Sequence, residues 1–161
     1  MGVGKGTTAR AFSKAYDVYN IDTDDLIESK ENRKIKKIFE EDGEAYFRAL
    51  EQEVADWIEN HVTGTLISCG GGFYKVNNLA DLGTIVLLDA SFDWIYNRII
   101  SSENAEKKLR KRPLFTQSKE AKKLYKEREE AYRAVADVIV NVEGKSLDRI
   151  VKEIAKKCKI K

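Results

Sequence analysis

Several residue types are scarce in this 161-residue chain, and each scarcity excludes a class of protein. Only two cysteines, Cys69 and Cys158, and one histidine, His61, are present, so the sequence predicts neither a disulfide scaffold nor a Cys/His zinc site. No apolar run approaches the ~18 residues of a membrane-spanning helix, and no signal peptide is visible. These absences favour a reduced, cytoplasmic setting without a membrane partner.

An excess of charge of one sign is also absent. The 29 Lys and Arg residues are nearly balanced by 27 Asp and Glu residues, which leaves a formal net charge of +2. Nucleic-acid-binding proteins usually carry a concentrated basic face, so we expect no nucleic-acid partner. The length fits one domain, and we expect residues 1–161 to form a single domain that acts as a monomer.

Short apolar stretches that favour strands alternate with longer helical patterns. The predicted strands are Val18–Ile21, Thr65–Ser68, Thr84–Leu88 and Val138–Val142. The predicted helices cover about 7–15, 24–30, 34–41, 44–61, 91–101, 118–135 and 146–158. Because the strands are short and continuously apolar, and because helices separate them, the sequence predicts an α/β fold with a parallel sheet and right-handed crossovers.

The first ten residues, MGVGKGTTAR, match the second half of the phosphate-binding pattern G-x-x-x-x-G-K-[ST]. In such a loop, backbone N–H groups and the start of a helix hold phosphates, and the lysine reaches the terminal phosphates. The alternative is a flexible, Gly-rich N-terminus ahead of a helix. The positions predicted to bind the nucleotide are Gly2, Gly4, Lys5, Gly6, Thr7 and Thr8.

Two acids, Asp22 and Asp24, follow the predicted strand that ends at Ile21. In open α/β sheets, ligands bind beyond the carboxyl ends of the strands. One carboxylate there can hold the water shell of Mg²⁺, and the other can orient or deprotonate a substrate hydroxyl. The alternative is a helix N-cap, a position that Asp favours, and both interpretations can hold together.

A charged pair and a run of glycines add further candidates. Arg48 and Glu51 share a helix face, and as a surface pair they would contribute only about 0.2–0.5 kcal/mol, so we favour an arginine held in place to grip a carboxylate. Gly70, Gly71 and Gly72 follow a predicted strand, and glycine lets the backbone approach a ligand closely and adopt positive φ. Three in a row at the carboxyl end of a strand suggest exposed N–H groups for a phosphate or a carboxylate. A single glycine there would indicate only a turn.

The highly charged segment 101–120 contains the only proline, Pro113, directly after Arg112. Charge runs are usually solvated surface loops. The functional alternative is a mobile lid that closes arginines over phosphates. Arg128 lies on the predicted helix after this segment, where a lone arginine is most often solvated.

In order and spacing, these pieces resemble shikimate kinase over almost the whole chain. The matching stretches are G-x-G-K near the start, D-T-D at 22–24, IFEEDGEAYFRALE at 38–51, GGG at 70–72, RPL at 112–114 and ER-x-x-x-Y at 127–132. The resemblance implies a P-loop kinase fold, with a three-layer parallel sheet of strand order 2-3-1-4-5, a substrate-binding region at 22–61 and a lid at about 102–117. It also implies transfer of the γ-phosphoryl group of ATP to the 3-hydroxyl of shikimate, with Mg²⁺, on the route to chorismate and the aromatic amino acids.

The resemblance assigns roles to the matching positions. Lys5 and Arg112 would act on the phosphates, Asp24 on the reacting hydroxyl, and Asp22 and Thr7 on Mg²⁺. Arg48 and Arg128 would bind the shikimate carboxylate, and Arg98 would cover the adenine. The nucleotide set is Gly2, Gly4, Lys5, Gly6, Thr7, Thr8, Arg98 and Arg112. The shikimate set is Asp24, Arg48, Glu51, Gly70, Gly71, Gly72 and Arg128.

Two features depart from the family pattern. Gly6 replaces the usual hydroxyl residue, so we expect Thr7 to contribute to Mg²⁺ binding instead. Met1 matches the Met of the family phrase G-F-M-G, so the first, central strand would lie before Met1, and we expect low or no activity from a chain that starts there. G-K-G-T also occurs in adenylate kinases, which leaves another small-molecule or nucleoside monophosphate kinase, or an inactive kinase-like chain, as alternatives.

Overall fold

Strands and helices alternate along the chain in the computed structural model, which describes residues 2–103, 105 and 118–160. Two short 3₁₀ helices, Phe73–Lys75 and Leu79–Leu82, follow the second strand. The other elements are α1 (Lys5–Tyr16), β1 (Asn20–Asp22), α2 (Thr23–Glu31), α3 (Ile35–Glu41), α4 (Gly43–His61), β2 (Leu66–Ser68), β3 (Val86–Asp89), α5 (Phe92–Ile100), α6 (Ser118–Val135), β4 (Val138–Asn141) and α7 (Leu147–Lys157).

The predicted alternation is confirmed, with small shifts at the element ends. Strand β1 begins at Asn20 instead of Val18, because the Val18 N–H donates to the Ser13 carbonyl and so closes the end of α1. Asp17, with φ of 51°, provides the left-handed residue that such a helix end uses. The predicted lid at about 102–117 lies largely outside the described residues.

The described strands form two parallel pairs, β1 with β2 and β3 with β4. These two pairs correspond to the neighbours 2-3 and 4-5 of the predicted strand order. In the first pair Asp22 stands opposite Ser68, so the acids after β1 and the glycines after β2 leave the same edge of the pair. This register places the predicted substrate residues side by side.

The described residues divide into two compact units. The first unit comprises residues 6–84, and the second comprises residues 2–5 with the described residues between 85 and 160. In the first unit, α4 supplies buried Phe47, Leu50, Val54 and Ile58 at helical spacing, each worth roughly 1.5–3 kcal/mol of burial. Trp57 belongs to the same apolar pattern but is 44% exposed, and it stacks on His61 at the end of the helix.

The second unit contains α5, α6, α7 and the β3–β4 pair, and two of these helices have serine N-caps. Ser91 accepts a hydrogen bond from the Trp94 N–H at the start of α5, and Ser146 accepts one from the Arg149 N–H at the start of α7. Helix α7 packs on β4 and buries Ile150, Val151 and Ile154. In the part of the chain described here, no helix is long and apolar enough to cross a membrane.

Candidate active site

The two acids at the carboxyl end of β1, Asp22 and Asp24, occupy different positions at the start of α2. Asp22 is the N-cap of α2, and its Oδ1 accepts a hydrogen bond of 3.0 Å from the Asp24 N–H. The N-cap interpretation therefore holds for Asp22, whose extended backbone is typical of that position. Asp24 follows in the first turn of α2, where a carboxylate also complements the helix dipole. The cap thus fixes the direction in which the chain presents Asp24.

Gly70 faces two carboxylates of the first unit. A Cβ built at this glycine would stand 2.5 Å from Asp24 Oδ1 and 3.3 Å from Glu51 Oε1, so a side chain there would force the Asp24 carboxylate to move. The Gly70 N–H does not point to a ligand, because it donates a 3.0 Å hydrogen bond to the hydroxyl of fully buried Thr23. Sequence reasoning missed Thr23, which fixes the glycine loop to the start of α2.

Gly72 lies directly against the guanidinium of Arg48. A Cβ at position 72 would overlap Nη1 and would stand 2.5 Å from Cζ and 2.8 Å from Nη2. None of Gly70, Gly71 and Gly72 has a positive φ. At Gly70 and Gly72 glycine is favoured because side chains approach the backbone closely.

Arg48 is held by two glutamates of its own helix. The predicted Glu51 contact is present, from Arg48 Nη1 to Oε2, and Glu44 Oε1 also accepts from Nε at 3.1 Å and from Nη2 at 2.9 Å. Burial would by itself lower the pKa of Arg48, but the hydrogen bonds and charges of Glu51 and Glu44 outweigh it and raise that pKa above its ordinary value. Glu44 was missed, although its i,i+4 spacing to Arg48 was visible in the sequence.

Glu51 contacts Arg48 with one carboxylate oxygen, and its other oxygen lies on the side of Asp24. Its side chain is only 2% exposed, and one oxygen contacts Arg48 while the other, Oε1, is buried without a hydrogen-bond partner among the described residues. That second oxygen is the one near Gly70, beside Asp24 Oδ1. A buried acceptor without a donor is costly, so this oxygen is a ready partner for a hydroxyl or a water. The first unit therefore presents a cation and two acid acceptors to a ligand that carries an anion and hydroxyls.

The phosphate-loop residues belong to a tight turn that leads into α1. Gly2 and Gly4 have φ of 71° and 103°, which L side chains rarely adopt, and α1 begins at Lys5. Such a turn exposes N–H groups ahead of a helix start, as phosphate sites require. Gly6 also lies within α1, Lys5 and Thr7 are exposed, and Thr8 is 5% exposed. Their nucleotide contacts stay predictions.

Arg98 contacts this loop within the second unit. Its Nη1 donates to the Val3 carbonyl at 3.0 Å, and a Cβ on Gly4 would stand 2.9 Å from Nη2. The guanidinium carbon also lies 5.2 Å from the centre of the Trp94 ring, a cation–π arrangement. Trp94 was missed by sequence reasoning, although it stands one helical turn before Arg98.

Two further arginines, Arg112 and Arg128, and the Mg²⁺ ligands were also predicted as site residues. Arg128 is half-buried on α6, and Arg112 lies outside the described residues. No group of three His, Cys, Asp or Glu side chains in the described ranges forms a metal site by itself. Mg²⁺ at a phosphate usually keeps several waters and uses one or two protein groups, so a carboxylate at a strand end such as Asp22 fits its chemistry.

Comparisons with known proteins agree on one family. A protein-family model described as shikimate kinase matches residues 1–159. Shikimate kinase of Helicobacter hepaticus is 35% identical over 148 residues, which are 92% of this chain and 86% of that protein.

Solved structures agree with the sequence matches. The crystal structure of shikimate kinase from Aquifex aeolicus has a TM-score of 0.78 at 34% identity, and the match covers 99% of this chain and 92% of that one. The structure of Acinetobacter baumannii shikimate kinase in complex with shikimate has a TM-score of 0.69 at 26% identity, covering 97% of this chain and 87% of that one. The predicted P-loop kinase fold is thereby confirmed.

Proposed function

This chain belongs to the shikimate kinase family, and we propose that the acids, the arginine and the glycines of its first unit bind shikimate while its Gly-rich loop binds ATP. The family reaction is ATP-dependent phosphorylation of shikimate, in the biosynthesis of aromatic amino acids. We assign the phosphoryl group to the 3-hydroxyl. The observation that supports this assignment of residues is that Asp24 and Glu51 both approach Gly70, while Glu51 contacts Arg48 and Arg48 lies against Gly72.

Shikimate carries a carboxylate and several hydroxyls, and the first unit offers a partner for each. Arg48 would pair with the carboxylate, because a guanidinium binds a carboxylate through two parallel hydrogen bonds. Asp24 and the buried Glu51 Oε1 would accept hydrogen bonds from the hydroxyls. The family resemblance also assigns Arg128 and the backbone of Gly71 and Gly72 to the shikimate carboxylate. The shikimate complex of the Acinetobacter baumannii relative supports this choice of substrate.

The nucleotide would be held by the loop at the start of the chain. Its positive-φ glycines direct N–H groups toward phosphates, and Lys5 neutralises their charge. Arg98 would cover the adenine and Arg112 would neutralise the transferred group, as the family resemblance implies. Mg²⁺, held by Asp22 through water and by Thr7, would offset the charge of the phosphate oxygens.

The chemical step needs an oriented hydroxyl and neutralised phosphates more than covalent help. The shikimate oxygen forms a bond to the γ-phosphorus, the bond from that phosphorus to the bridging oxygen of ADP breaks, and the hydroxyl proton leaves. Asp24 is the group that orients this hydroxyl and can accept its proton. Arg48 fixes the other end of the ligand, so that the hydroxyl is held in line with the leaving group.

The assignment is tested by titrating shikimate, gluconate and AMP into the protein in a calorimeter, and by following ADP release with each. Of these three compounds, we expect only shikimate to bind and to be phosphorylated. Arg48→Gln should weaken shikimate binding at least ten-fold, since a carboxylate loses a charge-assisted pair. Binding of AMP in preference to shikimate would show a nucleoside monophosphate kinase instead.

Three expectations from the sequence stay predictions. They are a monomeric state, a cytoplasmic location and the absence of a nucleic-acid partner. Sedimentation of the purified protein, with and without a duplex DNA, tests the first and the third.

A further inference from the structure

Glu44 occupies the edge of Arg48 that suits a ligand carboxylate. Its Oε1 accepts from Nε at 3.1 Å and from Nη2 at 2.9 Å, while Glu51 contacts Nη1. The Nε and Nη2 hydrogens lie side by side, and such an edge of a guanidinium binds carboxylates in a fork. Each of the three nitrogens therefore already donates to a carboxylate of the protein.

The two glutamates differ in how easily they can leave. The Glu51 side chain is 2% exposed, whereas that of Glu44 is 62% exposed. An exposed ion pair is weak, because water solvates both partners and each long side chain loses freedom when it is held. Removing a buried partner is costly, because it leaves the other charge uncompensated. Glu51 is thus the fixed partner of Arg48, and Glu44 is the exchangeable one.

The number of carboxylates around Arg48 favours replacement of Glu44 by the shikimate carboxylate over addition of a third carboxylate. Arg48 is one cation between two carboxylates, and a third carboxylate from shikimate would add repulsion between like charges at close range. If the Glu44 side chain moves into solvent, the shikimate carboxylate takes its place, and Arg48 still pairs with two carboxylates. The Glu44 side chain is 62% exposed in the first turn of α4, so its carboxylate is already largely in contact with solvent.

We propose that Glu44 is a placeholder for the shikimate carboxylate. It pairs with Arg48 while the site is empty and yields the Nε–Nη2 edge when shikimate binds. The inference rests on the proposed role of Arg48 in shikimate binding. Its consequence is that Glu44 weakens shikimate binding, because every binding event must first break the Glu44–Arg48 pair.

The experiment measures shikimate Kd by calorimetry for the wild type, Glu44→Gln, Glu44→Ala and a matched control, Glu53→Gln. Glu53 is an exposed glutamate of the same helix, paired with Lys30 instead of Arg48. We expect both Glu44 variants to bind shikimate about two- to five-fold more tightly, the gain that corresponds to an exposed pair of up to ~1 kcal/mol. Glu53→Gln should bind as the wild type does.

A second ligand separates competition from a general effect on folding. Shikimate methyl ester lacks the negative charge, so Glu44→Gln should not improve its binding. In steady-state assays, the KM for shikimate should fall in Glu44→Gln while the KM for ATP does not. A purely structural role of Glu44 would not distinguish the acid from its ester.

Two outcomes overturn the inference in different ways. If both Glu44 variants bind shikimate as weakly as the wild type or more weakly, while Arg48→Gln loses affinity, the placeholder is wrong and the role of Arg48 stands. If Arg48→Gln keeps the wild-type Kd, the proposed function of Arg48 fails, and the placeholder fails with it.

Discussion

The guanidinium of Arg48 lies against the backbone of Gly72, where a Cβ would overlap Nη1 and stand 2.5 Å from Cζ. Gly72 is buried and has a φ of −107°, so its backbone conformation is open to any residue. The glycine is therefore required for the space that the arginine fills. The position of the carboxylate-binding group thus depends on the absence of a single methyl group.

Gly72→Ala should move Arg48 and weaken shikimate binding by about ten-fold or more, since a displacement of ~1 Å is enough to lose a bidentate pair. The measurement is shikimate Kd together with the midpoint of thermal unfolding. In an Arg48→Ala background the same substitution should cost little further stability, because the overlapping atoms are gone. An equal loss of stability in both backgrounds would show that the methyl group meets something else.

Arg98 is predicted to act on the nucleotide side. It donates to the Val3 carbonyl and stacks on Trp94, so Arg98→Ala should loosen the loop and raise the KM for ATP several-fold while shikimate Kd stays the same. Arg98→Lys should restore little, because an ammonium lacks the flat surface that lies on Trp94. Equal changes in the KM values of ATP and shikimate would contradict a role confined to the loop.

Much of the fold and of the site was predictable, because both depend on local patterns. Apolar spacing placed α4, and D-T-D, FR-x-x-E and GGG marked the residues that the first unit brings together. The sequence allowed a helix N-cap at one of the two acids but could not tell that Asp22 is the one that caps α2. It could not show that the Gly70 N–H is taken by Thr23, because that contact joins residues 47 positions apart in the chain. Glu44 was missed for another reason: an i,i+4 pair on a helix is common and usually contributes little.

Tyr125 should make the stability of the protein sensitive to high pH. Burial, followed by the nearby charges of Glu129 and Asp89, raises the pKa of Tyr125 to about 12, and its hydroxyl donates to the Ala90 carbonyl. Because the folded pKa lies above the unfolded value of ~10, its contribution is complete below pH ~10 and is lost as the pH rises toward 12. Urea unfolding at pH 9 and pH 11 should show a smaller loss of stability in Tyr125→Phe than in the wild type.

The control for this titration is Tyr19, which is 89% exposed. Tyr19→Phe removes an exposed hydroxyl and should lose stability between pH 9 and pH 11 as the wild type does. A Tyr125→Phe variant with the full wild-type pH dependence would assign the alkaline sensitivity to other groups.

Asp24 and Asp25 provide a direct test of the proposed chemistry, since they are neighbours in the first turn of α2 and only one of them faces the site. Asp24 Oδ1 is directed at Gly70 near Glu51, whereas Asp25 is exposed. Asp24→Asn should lower kcat by about 10²–10⁴, the usual contribution of a positioned acid–base group, with a smaller change in shikimate Kd. Asp25→Asn removes the same charge from the same helix turn and should leave kcat within about two-fold, because its carboxylate lies away from the ligand. If the two substitutions lower kcat equally, the effect comes from the charge at the helix start, and the role of Asp24 in orienting the hydroxyl is wrong.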